Sequence, residues 1–486
     1  MADNIKTWTT DELNEVFDFY RFKTQPRLHQ LQTVAWACDK KRVSLWHDVG
    51  TGKSLTALYL AQIWGCEKIL IVSPNSILKG WREQIELHTN SSYTILQGSA
   101  DERREKLNEP ADIYVINYEG LLVLFAEKYA VLNKQTGKDE WKRRIDHKAV
   151  RAAKFDCIIF DECHKLKSRK AHRTKIAHAM SNATTRSIIM TGTPVSTGEE
   201  DLWSEYWCLD NGATFDNLSY WQYMRRYFKK GWFEWNITDR GKERILEAVA
   251  ISTLRFDREE CCDLPSKTYL ERTSPMTSEQ KKLTDDIVNG LQIEIDDSKL
   301  GTQEILQQGI KLAQIAGGFL KMSDGTTKRF KKNPKIDMLA EVLEESRGKV
   351  IVFHEYIEEG RMIAELLRKM KIGFAELRGE VKDKDEEYRR FREDDDCRVL
   401  VAHPLSGGEG LNLQVASVIW FYSNGYSGAV IRNQCEGRIW RQGQERACVI
   451  GDLIVEGTID QHKCQVLQDR KAMAGAILAY VNDWNS

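Results

Sequence analysis

The residues best equipped for chemistry lie in "LWHDVGTGKSLTALYLAQ", Leu45 to Gln62, where Gly50 and Gly52 precede Lys53 and Ser54 and an amphipathic run follows. Glycines so placed let backbone N–H groups converge on phosphate oxygens at a helix N-terminus. The lysine supplies a cation to the β- and γ-phosphates, and the serine hydroxyl can reach magnesium. The strict pattern G-x-x-x-x-G-K-[ST] needs glycine at position 47; this chain has His47, so the match is to the shorter G-x-G-K-S ending. A second constellation, "FDCIIFDECHK", ends an apolar run in Asp161 and Glu162. That puts two carboxylates at the C-terminal edge of a parallel sheet, where open α/β folds bind ligands. Asp161 can hold magnesium there, and Glu162 can orient or deprotonate an attacking water. A phosphate cradle alone serves kinases, GTPases and motors equally, so the rest of the chain must decide what the nucleotide drives.

The elements that must position these groups are legible as alternation. Short apolar runs separated by helical patterns occupy about residues 43–195: "VSLW", "KILIVSP", "DIYVINY", "FDCIIFDE" and "RSIIMTGTP". A second series starts near Lys349: "KVIVFH", "GFAELRG", "RVLVAHP", "SVIWFYS" and "ACVIGDLIV". Both patterns predict parallel sheets with crossover helices, hence two α/β domains in tandem. The expected division is 1–200 for the first domain, 201–332 for helical protrusions and a linker, and 333–486 for the second. Within the middle segment "SYWQYMRRYFKKGWFEW" mixes aromatic and basic residues, as base-stacking surfaces do. Its plainer reading is an amphipathic helix burying Trp221, Met224 and Phe228. "DKDEEYRRFREDDD" reads as one exposed helix between strands.

Composition narrows the class. A chain of 486 residues exceeds one ordinary core. With 42% hydrophobic and 29% charged residues, it has no apolar run of membrane-spanning length, and Met1 to Thr10 lacks a signal-peptide layout. An intracellular, cytoplasmic protein is expected. The 11 cysteines are odd in number and scattered, which favours reduced thiols; adjacent Cys261 and Cys262 suit one tetrahedral zinc site poorly. The net charge of −1 announces no polyanion partner, so any nucleic-acid surface must be local. Three basic runs are candidates, Lys134 to Lys154, His164 to Lys175 and Lys328 to Lys335, each against the alternative of a solvated face.

Taken in order, these pieces resemble helicase superfamily two, and within it the Swi/Snf-type double-stranded DNA translocases. "PRLHQLQTVAW" is similar to the adenine-reading segment, with Gln30 in the glutamine position. "HDVGTGKS" resembles motif I, "ILIVSPNSILKGW" motif Ia, "VINYEGL" the next DNA-facing motif, "FDECHKLK" motif II and "MTGTPVSTGEEDLW" motif III. "VIVFHEY", "AELRG", "HPLSGGEGLNL" and "QCEGRIWRQGQ" resemble motifs IV, IVa, V and VI. The resemblance covers nearly the whole chain and implies two RecA-like domains.

It also implies roles. ATP would be bound by Gln30, Asp48, Gly50, Thr51, Gly52, Lys53, Ser54, Gly410 and Gln434, with magnesium on Ser54 and Asp161. Lys53, Asp161, Glu162, Arg438 and Arg441 would be catalytic. Gln434, Arg438 and Arg441 are spaced to share one face of a short helix, and arginine's planar fork suits a γ-phosphate. DNA phosphates would meet Ser73, Asn75, Lys79, Tyr118, Lys165, Lys167 and Thr191 in the first domain, and Ser406, Gly407 and Asn412 in the second. His164, Gly192 and Thr193 would couple the two events. Departures from the family pattern include Ser54 for threonine, cysteine within "DECH", and "YSNGYS" for the usual "WNP". No appended reader domain is expected.

The leading expectation is thus an ATP-dependent motor on double-stranded DNA that remodels branched or protein-bound DNA, plausible as a monomer. A strand-separating DNA or RNA helicase and an ATP-gated clamp with negligible turnover are the alternatives.

Overall fold

The computed structural model describes residues 5–469 except 6, 17–22, 133–138, 193–197, 232–234, 262–263, 297–301, 323, 382, 408–410 and 426–427. The chain forms two compact units, Met1–Cys262 and Asp263–Ser486.

In the first unit the strands are β1 (Arg42–Leu45), β2 (Ile69–Ser73), β3 (Tyr93–Ile95), β4 (Ile113–Asn117), β5 (Cys157–Asp161), β6 (Arg186–Met190) and β7 (Thr253–Leu254). They lie in the order β7-β1-β6-β5-β2-β4-β3, and every pairing is parallel. Strands β2, β4 and β5 are buried along their whole length, which is why they read as unbroken apolar runs rather than alternating ones. One core packs Leu31, Leu58, Leu60 and Trp81 from flanking helices against Val43, Ile71 and Ile159. The other packs Met180, Tyr206 and Tyr223 against Leu70, Phe160 and Ile189. Because the strands run the same way, residues 46–52, 74–75, 118, 162–164 and 191–192 all follow strand ends at a single edge of the sheet.

The second unit repeats the plan with β8 (Lys267–Pro275), β9 (Lys349–Phe353), β10 (Gly373–Leu377), β11 (Cys397–Ala402), β12 (Ala416–Phe421) and β13 (Cys448–Glu456). Their order is β8-β13-β12-β9-β11-β10, again all parallel. The charge-dense helix falls at Lys384–Glu393, between β10 and β11, as the sequence suggests.

Residues 201–332 differ from the expected picture of helical protrusions and linker. Leu202, Tyr206, Tyr223, Ile245 and Val249 belong to the same core as Phe160, so this stretch up to β7 is built into the first unit. From β8 onward it belongs to the second, where β8 pairs along all of β13. Within the helix Tyr220–Tyr227, residues Tyr223, Met224 and Tyr227 are buried, while Trp221 is 51% exposed. Phe228 is buried, but from the short strand that follows. Trp221 therefore corrects the expectation: positions 220, 223, 224 and 227 form the apolar stripe, and 221 falls outside it.

The basic run Lys328 to Lys335 is cationic surface only in part: Lys331 and Lys332 are exposed, and the other three cations are paired. Lys335 is 1% exposed, donates to the Tyr422 carbonyl at 2.7 Å and pairs with Asp460 at 2.7 Å. Arg329 pairs with Glu358 and Glu365, and Lys328 with Glu279. The described cysteines are free thiols, and no described helix is long and apolar enough to cross a membrane.

Candidate nucleotide site

The turn after β1 is shaped by Gly50 (φ 86°) and Gly52 (φ 84°), both in the left-handed region. A Cβ on Gly52 would lie 2.5 Å from Gln30 Nε2, so the loop also needs glycine for close approach. The helix Lys53–Ile63 starts directly from it, and no side chain caps its N-terminus. Its first N–H groups are therefore directed at the turn, as an anion site requires. Gln30 accepts from the Arg27 N–H at 2.9 Å and donates to the Gly52 carbonyl at 3.4 Å, and His29 meets the Thr51 carbonyl at 2.8 Å. Gln30 thus braces the loop. Thr51 is buried, its hydroxyl donating to the Asp48 carbonyl at 2.8 Å.

Lys53 Nζ donates to the carbonyls of His47 and Asp48, each at 3.0 Å. The ammonium is thereby held over the turn. Burial pulls its pKa down, opposed by the charges of Glu162, Asp161 and Asp48. Asp48 is itself fixed: its N–H donates to the Phe256 carbonyl at 3.0 Å, and its carboxylate pairs with Arg258 at 3.4 Å. His47, in the place of the missing glycine, is fully buried and meets Thr33 Oγ1 at 3.0 Å, serving the interior rather than the cradle.

At the end of β5 the Asp161 side chain accepts the Trp81 indole N–H at 2.9 Å. Burial, then the charge of Glu162, pushes its pKa up to about 7. Glu162 adopts φ 54°, a left-handed conformation uncommon for a side-chain-bearing residue. Its carboxylate accepts from Thr191 Oγ1 at 3.3 Å and lies 3.3 Å from His164 Nδ1, while that nitrogen lies 3.5 Å from Thr191 Oγ1. Carboxylate, imidazole and hydroxyl thus link the ends of β5 and β6. Gly192 sits beneath the loop, where a Cβ would come within 2.7 Å of Val49 Cγ2 and 3.5 Å of Lys53 Nζ. Gly50, Gly52, Lys53, Asp161, Glu162, His164, Thr191 and Gly192 are therefore assembled at one sheet edge. Thr193 lies outside the described residues.

A magnesium ion fits this chemistry. Asp161 is a buried carboxyl whose charge the surroundings disfavour, and Ser54 stands in the first turn of the adjoining helix, giving hard oxygen donors suited to a divalent cation.

Three of the candidates for DNA contact, Ser73, Tyr118 and Thr191, are buried at this same edge. Tyr118 is 2% exposed and donates to the Asp161 carbonyl at 2.8 Å, so its side chain braces the carboxylate turn from within. Ser73 is fully buried and bonds the Pro74 carbonyl at 3.3 Å, and Thr191 is fully buried in the cluster with Glu162. Asn75, Lys79 and Lys167 are exposed, and Lys165 is half-buried. Sequence reasoning did not single out Trp81 or His29. The indole within "ILKGW" reads as core, and only the fold brings it to Asp161.

In the second unit Gln434 is buried on the helix Gly428–Glu436. That helix ends before Arg438 and Arg441, which occupy the turns beyond it. The shared helical face read from their spacing is therefore not the arrangement found: Gly437 N–H makes the last bond of that helix, to the Asn433 carbonyl at 2.9 Å, and Arg438 N–H turns instead to the Cys435 carbonyl at 3.1 Å. Arg438 is 9% exposed, and its carbonyl accepts from the Leu413 N–H at 3.2 Å. Gln444 Nε2 ties this segment down by donating to the carbonyls of Gln414, Ala416 and Ile439. Ser406 is half-buried in the short helix Pro404–Gly407, Asn412 is exposed, and Gly410 lies outside the described residues.

Comparison with known proteins gives the family. The SNF2-related domain family matches residues 29–316, and the helicase conserved C-terminal domain matches 334–443. Protein p41 of Acyrthosiphon pisum secondary endosymbiont phage 1 is 24% identical, over 93% of this chain and 98% of that protein. A SWI/SNF-related matrix-associated actin-dependent regulator of chromatin subfamily A-like protein 1 homolog of Caenorhabditis elegans is 24% identical over 92% of this chain and 61% of its own length. The human DNA annealing helicase and endonuclease ZRANB3 is 24% identical over 96% and 42% respectively. The chain thus spans the phage protein but about half of these two larger relatives. Among solved structures, the Sulfolobus solfataricus SWI2/SNF2 ATPase core in complex with dsDNA is 22% identical, with a TM-score of 0.43 and coverage of 94% and 93%. The chain belongs to the SNF2-related family of helicase superfamily two and is a nucleic-acid-dependent ATPase of the helicase and translocase class.

Proposed function

We propose that the protein hydrolyses ATP to translocate along double-stranded DNA and so remodels branched or protein-bound DNA. The observation that carries this reading is the convergence of Lys53 with Asp161 and Glu162 beside an uncapped helix N-terminus, within a chain matched along most of its length by the two motor domain families.

In this reading the Gly50–Gly52 turn and the N–H groups of the following helix take the phosphates, with Gln30 holding the turn in shape. Ser54 and Asp161 would hold magnesium, which supplies neutralising charge to the phosphates when bound. Glu162, kept in place by Thr191, accepts the proton of the attacking water. Arg438 and Arg441 act on the developing negative charge during turnover, a contribution worth about 10³ to 10⁵ in rate. Asn75, Lys79, Lys167 and Asn412, being exposed, are the first-choice contacts for DNA phosphates, which carry no sequence information and so suit a motor that moves over any sequence. The names of relatives such as the DNA annealing helicase support DNA as the track.

Displacement of a third strand from a triplex reports movement along a duplex without opening it. Wild type should displace it in the presence of ATP, whereas Lys53→Ala and Arg438→Ala should not. If wild type fails there yet separates a forked duplex, the strand-separating alternative replaces this one.

A further inference from the structure

Helix Tyr118–Phe125 and helix His147–Ala152 of the first unit are joined by an antiparallel ribbon, Ala126–Leu132 with Asp139–Ile145. None of the family motifs quoted above includes it, and the nucleotide site makes no use of it. An isolated two-stranded ribbon is marginal in water, so its exposed aromatic side chains need a reason. Trp141 is 71% exposed and Tyr129 is 37% exposed. Ala130 lies opposite Trp141 and Lys128 opposite Arg143, which puts Trp141, Lys128 and Arg143 on one face of the ribbon.

Between this ribbon and the start of the helix His172–Ala183 runs a groove of about 930 Å³. Its described lining is Lys128, Tyr129, Trp141, Arg143 and His172, with no carboxylate among them; the register sets Trp141 with the two cations on one face and Tyr129 on the other. The neighbouring Arg144 is neutralised by Glu127 at 2.8 Å and stacks on Tyr129, which stiffens that ring. The fold thereby brings together two of the basic runs that the sequence left separate, Lys134 to Lys154 and His164 to Lys175.

We propose that this groove binds unpaired nucleotides of a DNA strand, Trp141 stacking on a base while Lys128, Arg143 and His172 face the phosphates. Charge complementarity selects a polyanion, and exposed flat rings select one with accessible bases, which a closed duplex does not offer. The proposal rests on the DNA-motor reading and deepens it: the groove would let a duplex motor recognise branches, where unpaired strand is exposed.

Direct binding of fluorescein-labelled dT20 by the full chain, followed by anisotropy, tests it apart from ATP turnover. Trp141→Ala should weaken binding about tenfold, within the range for loss of one stacked base, and Trp141→Phe should restore most of it. Lys128→Ala combined with Arg143→Ala should reduce the slope of log K against log salt by about 1.4. Hydrolysis of ATP stimulated by blunt duplex should stay within about twofold of wild type for all of these variants. Unchanged dT20 binding by Trp141→Ala overturns the proposal, and so does an equal loss of blunt-duplex binding, which would make the ribbon part of a general duplex grip. Failure of blunt duplex to stimulate wild type would instead count against the motor reading and leave the dT20 result standing.

Discussion

Among single residues, the nucleotide site depends on how its side chains are held rather than on their identity alone. Trp81 donates to Asp161, the proposed magnesium ligand, and removing a hydrogen-bond partner of a metal ligand typically weakens the metal 10- to 100-fold. Trp81→Phe should therefore raise the magnesium concentration for half-maximal ATP hydrolysis by about that factor, with far-UV circular dichroism unchanged. Glu205 offers a pH test. It is fully buried and accepts from Cys163 Sγ at 3.2 Å, and burial pushes its pKa up to about 8. A carboxyl with a raised folded-state pKa contributes stability that is complete below the unfolded value near 4.5 and is lost as pH rises through about 8. Urea midpoints of wild type should accordingly fall across that window, and Glu205→Gln should flatten the decline. Lys53, Asp161 and Glu162 could be named from sequence because their spacing repeats a chemical pattern. Trp81 could not, because an aromatic after an apolar run looks like core and its partner lies a whole crossover away; Tyr118 is named from sequence for a DNA phosphate, and only the fold shows it bonded to the Asp161 carbonyl.

Among the elements, strands with buried residues were readable as apolar runs, and all ten so identified are strands. What escaped notice were three of the four edge strands, β3, β7 and β8, and the ribbons; the fourth, β10, was read. In β8, "KTYLERTSP" is exposed at most positions, because an edge strand needs pairing on one side only and its residues follow solvent rather than core. β7 is two residues long and shows no period at all. Within the run Lys328 to Lys335, Lys335 departs from a surface position for the opposite reason: it is cationic in composition but sits inside the second unit with Asp460. Breaking a buried pair by deleting one partner leaves an uncompensated charge and costs about 3–5 kcal/mol. Lys335→Ala should lower the urea midpoint of the second unit by a corresponding amount, whereas Lys328→Ala, whose partner Glu279 is partly exposed, should change it little.

At the scale of the whole molecule, each unit has its own sheet and cores, and the candidate groups are shared out between them: glycine loop and carboxylates in the first, arginines in the second. Turnover should therefore need both. Residues 1–262 expressed alone should retain nucleotide binding but lose hydrolysis by about 10³-fold or more, matching the effect of Arg438→Ala in the full chain. The most direct measurement is the steady-state rate of ATP hydrolysis by the full chain with and without blunt duplex DNA, in wild type and Glu162→Gln. Duplex should accelerate wild type strongly, and Glu162→Gln should lose about 100-fold or more of that rate while still binding labelled ATP. A rate indifferent to DNA, or a Glu162→Gln variant as active as wild type, would contradict the account.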